Sequence, residues 1–144
     1  MIDKFIQGKP KAQPRPRIRR IGYAARIYNP STADKWKKAI AYQLIPYHNK
    51  KFDGYFHVEL NFFFERPKTH FGSGKKTLDV VKKSSPKFHT YKPDLDNLAK
   101  SVLDTLTDIS YWIDDSNITE LLVTKDWADS GQLEGMQLKI QNYE

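Results

Sequence analysis

The stretch YFHVELNFFFE, residues 55–65, is the segment that decides the fold. Its β-forming residues alternate, so that one face is apolar while the other carries mainly polar side chains. The apolar face consists of Phe56, Val58, Leu60, Phe62 and Phe64. This period of two predicts a long core strand, with the turn Asp53-Gly54 before it and Pro67 ending it.

Two segments with helical periodicity lie on either side of this strand in the sequence. Residues 32–45 follow the helix-start signal Asn29-Pro30-Ser31-Thr32 and repeat apolar side chains at helical spacing. Residues 94–106 do the same after Pro93, and Asp94 is placed to cap that helix. The apolar face of the second helix consists of Leu95, Leu98, Val102 and Leu106. We expect both helices to pack on the sheet.

Further strands are predicted at residues 2–7, 118–125 and 133–141. The pattern predicts a compact α+β single domain, in which a mixed β-sheet is packed by two main helices. A length of 144 residues suits one domain that can bury a core. Two irregular segments interrupt the pattern: residues 8–20, a proline-containing basic extended arm, and residues 66–91, a long flexible basic loop.

The composition excludes several classes of protein. There is no cysteine, so disulfides, thiolate metal sites and a cysteine nucleophile are excluded. The apolar runs are too short to span a membrane, and no signal peptide opens the chain, so we expect a soluble cytoplasmic protein. No phosphate-binding loop, EF-hand, HExxH or GxSxG motif is present.

The charge of the chain, +7 with neutral histidines, is distributed unevenly. Residues 1–30 carry eight basic side chains against one acid, and residues 66–92 again carry eight against one. Residues 93–120 invert the sign, with seven acids against Lys100 alone. Basic segments favour a polyanion such as DNA, and concentrated carboxylates favour a divalent metal that meets phosphate. The alternative is a solvated acidic face that happens to lie between two basic ones.

The acidic block begins with Lys92-Pro93-Asp94-Leu95-Asp96-Asn97-Leu98-Ala99-Lys100. Asp94 and Asp96 fall at the start of the second helix, where two carboxylates can bind a hard cation and the helix end favours anions. Lys100 follows Asp96 by one turn and could stabilise the charge on a phosphate undergoing attack. The alternative is an ordinary capped helix with a surface pair of Asp96 and Lys100.

A metal cluster needs a third carboxylate, which the segment Tyr111-Trp112-Ile113-Asp114-Asp115-Ser116-Asn117 can supply. Asp114 and Asp115 precede the strand at residues 118–125, and their spacing from Asp96 does not decide between them. We therefore keep both as candidate ligands.

In these motifs the sequence resembles the RusA family of Holliday-junction resolvases. The resemblance rests on Gly8-Lys9-Pro10 with Arg15-Pro16-Arg17, on residues 92–100, on Val102-Leu103-Asp104-Thr105-Leu106 and on Asp114-Asp115-Ser116-Asn117-Ile118. It covers about residues 8–120. One departure is Asp108-Ile109-Ser110, which stands where many members have a glycine-containing turn.

The resemblance implies a homodimeric endodeoxyribonuclease that resolves four-way or other branched DNA junctions by paired nicks, in recombination, repair or phage replication. It implies Mg²⁺ as the cofactor, with Mn²⁺ as an expected substitute. In family terms Asp94, Asp96 and Asp115 match the catalytic, metal-binding carboxylates, with Asp114 as the reserve for Asp115, and Lys100 matches the essential lysine. A homodimer also suits the two-fold symmetry of a four-way junction.

DNA contacts are expected from the arm and from the basic loop, because both are rich in cations and poor in acids. The expected DNA-binding residues are Arg15, Arg17, Arg19, Arg20, Lys75, Lys76, Lys82 and Lys83. Two alternatives remain open. The chain could be a non-catalytic DNA-binding module with a structural acidic cluster, or a basic adaptor for an acidic protein.

Overall fold

A computed structural model of the chain describes residues 1–129 and 131–143. The strands in these residues are β1 (Ile2–Gln7), β2 (Arg17–Ile21), β3 (Ala24–Tyr28), β4 (Tyr55–Phe64), β5 (Ile118–Trp127) and β6 (Gly135–Tyr143). The helices are α1 (Asp34–Gln43) and α2 (Leu95–Asp108). Short 3₁₀ turns occupy Ile45–Tyr47, Lys68–His70 and Asp115–Asn117.

The main sheet has four strands in the order β1-β6-β4-β5. β4 pairs with β5 in parallel and with β6 antiparallel, while β1 pairs with β6 antiparallel. The sheet is therefore mixed, as predicted. The parallel pair follows from topology, because the chain leaves β4, passes through residues 65–117 including α2, and returns to run beside β4 in the same direction.

One core joins the two helices to one face of this sheet. The predicted apolar face of β4 is buried, with Phe56, Val58, Leu60 and Phe62 each 0% exposed. Buried side chains from both helices and from alternate positions of β1 and β6 complete the same cluster. The prediction of an α+β fold with two main helices packed on a mixed sheet is confirmed.

The helix boundaries differ slightly from the prediction, for local reasons. α1 ends at Gln43 and a 3₁₀ turn follows, because Pro46 cannot donate a helical hydrogen bond. α2 continues to Asp108 and ends in a Schellman motif, in which the Tyr111 N–H donates to Leu106 O at 3.0 Å. Ser110 takes the left-handed position of this motif with φ 56°, a conformation that glycine most often supplies at a helix C-terminus.

The arm is only partly irregular. Residues 17–21 form β2 and pair antiparallel with β3 in a separate two-stranded hairpin. Sequence reasoning missed β3 because all ten residues of β2 and β3 are exposed, so no burial pattern marks them. The predicted extended arm therefore corresponds to an irregular segment, residues 9–16, followed by the first strand of a hairpin.

The basic loop, residues 66–91, contains one 3₁₀ turn and a single β-bridge between Phe71 and Val81. Arg66, which is 7% exposed, anchors it. The Arg66 guanidinium donates to Asp129 Oδ1 at 2.8 Å and to Pro86 O at 2.7 Å, and lies 5.2 Å from the Trp127 ring centroid. The loop is thereby tied to the end of β5.

Among the described residues, no helix is long and apolar enough to cross a membrane.

Candidate active site

The start of α2 is held in place from two sides. The Lys125 ammonium on β5 donates to Tyr91 O at 2.6 Å and to Pro93 O at 2.9 Å. On the other side, the Gln13 N–H donates to Asn97 O at 2.9 Å, and the buried Ser101 hydroxyl donates to Lys11 O at 2.8 Å. The irregular part of the arm thus lies along the first turns of α2.

Asp94 is the N-cap residue of α2, with an extended backbone and its carbonyl accepting from the Leu98 N–H at 3.1 Å. Its side chain, however, accepts no capping hydrogen bond. The sequence predicts Asp94 at the start of this helix, and Asp94 does occupy the N-cap position, but as a cap by backbone position alone. Because its oxygens are not used to cap the helix, they remain potential acceptors for other groups.

One pocket collects Asp96, Lys100, Asp104 and Asp115. It has a volume of about 310 Å³ and lies between α2 and β5. Its remaining walls are apolar: Leu95, Ala99, Leu103, Leu121 and Val123. Helical spacing of four brings Asp96, Lys100 and Asp104 to one side of α2, and the turn before β5 adds Asp115.

Asp114 and Asp115 have different surroundings. Asp114 caps the 3₁₀ turn, and its Oδ1 accepts from the Ser116 N–H at 3.2 Å. That hydrogen bond, followed by one from Asp115, lowers the pKa of Asp114. The pKa of Asp115 is raised, first by partial desolvation and then by the hydrogen bond and charge of Asp114 and the charge of Asp104, while Lys100 opposes the rise. Of the two, only Asp115 lines the pocket.

Lys100 pairs with Asp104 rather than with Asp96. Its ammonium lies 3.7 Å from Asp104 Oδ1, an i,i+4 contact in which the lysine side chain is 62% exposed. The surface pair of Asp96 and Lys100 considered from the sequence is therefore replaced by a pair one turn further along α2. The sequence analysis gave Asp104 no role beyond its place in the motif Val102-Leu103-Asp104-Thr105-Leu106, although its spacing from Lys100 was the available signal.

Asp94 lies in a different depression, a groove of about 730 Å³ between the arm and the start of α2. The groove is strongly basic. Its charged lining consists of Lys9, Lys11, Arg15, Arg17, Lys92 and Asp94. The pocket and the groove thus divide the predicted carboxylates, with Asp96 and Asp115 in one and Asp94 in the other.

The predicted DNA-binding residues also separate into groups. Arg15 and Arg17 line the groove beside Asp94, whereas Arg19 and Arg20 lie on the exposed hairpin. In the basic loop all four predicted lysines are exposed and outside both depressions: Lys75, Lys76, Lys82 and Lys83. Lys9, Lys11 and Lys92 are further groove cations that were not assigned to DNA from the sequence.

The donor set of the pocket fits a hard divalent cation in chemistry, since every charged acceptor in it is a carboxylate. The pKa of Asp115 is raised first by desolvation and then by its carboxylate neighbours, and a bound cation relieves the repulsion among such neighbours. Across residues 1–129 and 131–143, however, no group of three or more aspartate, glutamate or histidine side chains is already arranged to hold a metal ion.

Comparison with known proteins gives one family match. The family model described as Endodeoxyribonuclease RusA matches residues 7–136, which include the groove, α2 and β5. A search of curated proteins found no match.

Proposed function

The chain belongs to the RusA family and is an endodeoxyribonuclease that resolves Holliday junctions, and we propose that it hydrolyses the DNA backbone with Mg²⁺ bound by Asp96 and Asp115 from the pocket and by Asp94 from the groove, two residues before Asp96. Nucleases of this family typically need a divalent metal. Family membership sets aside the non-catalytic and adaptor alternatives. We place the activity in DNA recombination and repair, or in the replication of a phage or prophage, where branched DNA arises.

One observation carries the proposal: Asp96, Asp115 and Lys100 line a single open pocket although Asp115 lies nineteen residues beyond Asp96 in sequence. The alternative of an ordinary capped helix does not explain why these three side chains line the same pocket. Asp115 is favoured over Asp114 as the ligand, because the Asp114 carboxylate already accepts the Ser116 N–H.

When bound, Mg²⁺ would supply charge neutralisation at the attacked phosphate and lower the pKa of a coordinated water. Mn²⁺ has the same preference for oxygen ligands and is expected to substitute. Lys100 would stabilise the phosphate oxygens as negative charge develops on them. Asp104, 3.7 Å from Lys100, would orient that ammonium and is a positioning residue rather than a ligand.

The basic groove would hold the DNA backbone on the approach to Asp94. Its lining carries five cations against one carboxylate, so it favours phosphate strongly. Contacts of this kind position DNA without reading its sequence. Arg19 and Arg20 on the hairpin, and the exposed lysines of the basic loop, would extend the contact to neighbouring arms of a junction.

We propose a homodimer as the active form, because paired nicks in opposed strands of a two-fold junction require two catalytic centres in matching positions.

The test is cleavage of a labelled four-way junction by Asp94→Asn, Asp96→Asn and Asp115→Asn variants. Each should lose Mg²⁺-dependent nicking while binding the junction at least as tightly as wild type, because the substitution removes negative charge near phosphate. Asp108→Asn is the matched control, since Asp108 is exposed on α2 and lines neither depression. Full activity in the Asp96 and Asp115 variants would contradict the proposal.

A further inference from the structure

A further open cavity lies beside the basic groove and has no part in the proposed chemistry. It has a volume of about 730 Å³, and ring side chains from β4, from the basic loop and from the end of β5 line it. We call it the aromatic pocket, and its rings are Phe64, His70, His89, Tyr91 and Trp127. An open cavity lined by rings suits a flat, partly apolar ligand.

The rings form a buried inner stack and one accessible outer ring. His89 and Trp127 are each 7% exposed, and their ring centroids lie 4.2 Å apart with 31° between the planes. Tyr91 is 54% exposed, and its ring centroid lies 6.2 Å from that of Trp127. The Tyr91 ring therefore borders the stack while about half of its surface stays available. Nucleobases stack on accessible rings of this kind.

Two polar atoms in the walls of the aromatic pocket lack partners. His89 Nδ1 and Trp127 Nε1 are buried, and neither has a hydrogen-bond partner among residues 1–129 and 131–143. Burial, followed by the charge of Lys125, lowers the pKa of His89, so its imidazole is neutral at pH 7. Both atoms are shielded in the free chain, so a ligand reaches them after neighbouring side chains turn aside. The edge of a nucleobase carries the donors and acceptors that such atoms need.

The charged lining of the aromatic pocket suits a ligand that carries phosphate. Lys9, Lys68 and Lys92 are exposed there, against the carboxylates of Glu65 and Glu134. The Glu134 carboxylate is already engaged, because its Oε2 accepts from the Glu65 N–H at 2.7 Å. The remaining excess of positive charge favours an anion.

The aromatic pocket is continuous with the basic groove, since Lys9, Phe64 and Lys92 line both. Lys92 precedes Asp94 by two residues, so their Cα atoms are at most ~7 Å apart. At a rise of ~3.4 Å per nucleotide of a DNA strand, this distance corresponds to about two nucleotides. A strand held in the groove beside Asp94 therefore passes the mouth of the aromatic pocket.

A purely structural role explains only part of this arrangement. The Arg66 guanidinium lies 5.2 Å from the Trp127 ring centroid, and this contact helps to tie the basic loop to β5. Such a role accounts for the buried rings. It requires neither a half-exposed Tyr91 nor an open cavity that shares a wall with the groove.

We propose that the aromatic pocket receives one unpaired nucleobase of the DNA strand held in the basic groove. The base stacks on Tyr91, and Lys68 and Lys92 contact the phosphates on either side of it. This inference rests on the proposed placement of DNA in the groove and adds a contact to a base. An unpaired base costs less to extrude than a paired one, so the pocket favours branched DNA over a continuous duplex.

Photocrosslinking of the wild-type protein tests where the base lies. The probe is a DNA duplex with one unpaired 5-iododeoxyuridine, bound in EDTA so that no metal-dependent cleavage occurs. Irradiation should link this base to Tyr91, His89 or Trp127, which mass spectrometry of the linked peptide identifies. A crosslink to Tyr23 or Tyr28 of the hairpin instead, or no crosslink at all, would overturn the inference.

Affinity measurements in EDTA test the contribution of the ring. Wild type should bind the bulged duplex more tightly than a fully paired duplex. Tyr91→Leu should weaken binding of the bulged duplex by about 5- to 100-fold, the scale of base stacking on an aromatic ring, and leave binding of the paired duplex unchanged. Tyr91→Phe keeps the ring and should behave like wild type. Tyr42→Leu is the matched control, since Tyr42 is 76% exposed on α1 and lines neither the aromatic pocket nor the groove.

Three further outcomes count against the inference. The first is equal affinity of wild type for the two duplexes, and the second is a Tyr91→Leu variant that binds both as wild type does or loses affinity for both equally. The third is thymidine monophosphate that blocks the crosslink as well as unlabelled bulged duplex does, which would assign the pocket to free nucleotides. Failure of the groove placement would appear differently, as unchanged binding of paired duplex by Arg15→Ala. The proposed catalysis is tested separately, in Mg²⁺, by Asp96→Asn.

Discussion

Lys100 is the residue whose surroundings bear most directly on chemistry. It shares a pocket with three carboxylates, and it lies 3.7 Å from the nearest of these, Asp104. A surface ion pair of this kind contributes less than ~1 kcal/mol to stability, so a purely structural role predicts little effect on cleavage when Lys100 is removed.

We predict that Lys100→Ala lowers single-turnover cleavage by about 10²–10³-fold, the scale of losing one preorganised charge-stabilising donor. Lys100→Arg should bind junctions normally and still cleave poorly, because a planar guanidinium replaces a compact ammonium. Single-turnover rates at saturating enzyme separate the chemical step from binding. Rates near wild type in both variants would leave Lys100 as a helix-surface charge.

Asp104 provides the second prediction at this scale. If it orients Lys100, Asp104→Asn should slow single-turnover cleavage by about 10- to 100-fold, the usual effect of losing a group that positions a functional residue. The loss should be smaller than that of Lys100→Ala, and junction binding should not fall. The double variant Asp104→Asn/Lys100→Ala should be no slower than Lys100→Ala alone. Additive losses would assign Asp104 a role independent of Lys100.

At the scale of elements, the irregular part of the arm and the hairpin lie on different surfaces of the protein. The arm is tied to α2 through Lys11 and Gln13, so Arg15 and Arg17 lie in the groove beside Asp94. The hairpin that follows is exposed at every residue and belongs to no part of the core. An isolated two-stranded hairpin is marginally stable in water, so we expect DNA to order it further.

We predict that replacing any one of Arg15, Arg17, Arg19 or Arg20 by alanine lowers the slope of log affinity against log salt by about one unit, because each phosphate contact releases counterions. Filter binding at several salt concentrations measures this slope. Lys139→Ala is the control, since Lys139 lies on the sheet face away from the helices. An unchanged slope for Arg19 and Arg20 alone would restrict the contact to the groove, and an unchanged slope for all four would contradict it.

At the scale of the whole molecule, the sheet face opposite the helices carries a polar link between β4 and β5. His57 Nδ1 lies 2.6 Å from Glu120 Oε2, and His57 Nε2 lies 3.0 Å from Glu59 Oε1. These hydrogen bonds to Glu59 and Glu120 raise the pKa of His57 above 6.5. Elsewhere in the fold, burial lowers the pKa of His89, so the two histidines act in opposite directions on the pH dependence of stability.

We predict that the free energy of unfolding of wild type exceeds that of His57→Gln at pH 5.5 and that this difference shrinks as pH rises. A histidine whose folded pKa is raised contributes stability below its unfolded pKa, and that contribution is lost as pH rises through the folded pKa. Urea unfolding of both proteins at pH 5.5 and pH 8 measures the change. A difference that grows with pH would contradict the assigned hydrogen bonds.

Local sequence patterns by themselves predicted the core strand, both helices and the acidic motif. The alternation in residues 55–64 and the helical repeat after Pro93 required no tertiary information, because each depends on which side chains of a single segment must leave water. The acidic motif and the resemblance to the RusA family could also be recognised from the sequence alone, since they reside in short runs of residues. The strand β3 could not be predicted from local patterns, because all of its residues are exposed and its burial does not distinguish it from a loop.

Tertiary structure decided what depends on distance between segments. The parallel pairing of β4 with β5, the choice of Asp115 over Asp114 to line the pocket, and the distribution of Asp94 and Asp96 between groove and pocket all follow from how α2 and the arm pack. So does the pairing of Lys100 with Asp104 rather than Asp96, since both neighbours have the same spacing in sequence. Equal spacing along a helix leaves such choices open, and only the surrounding packing resolves them.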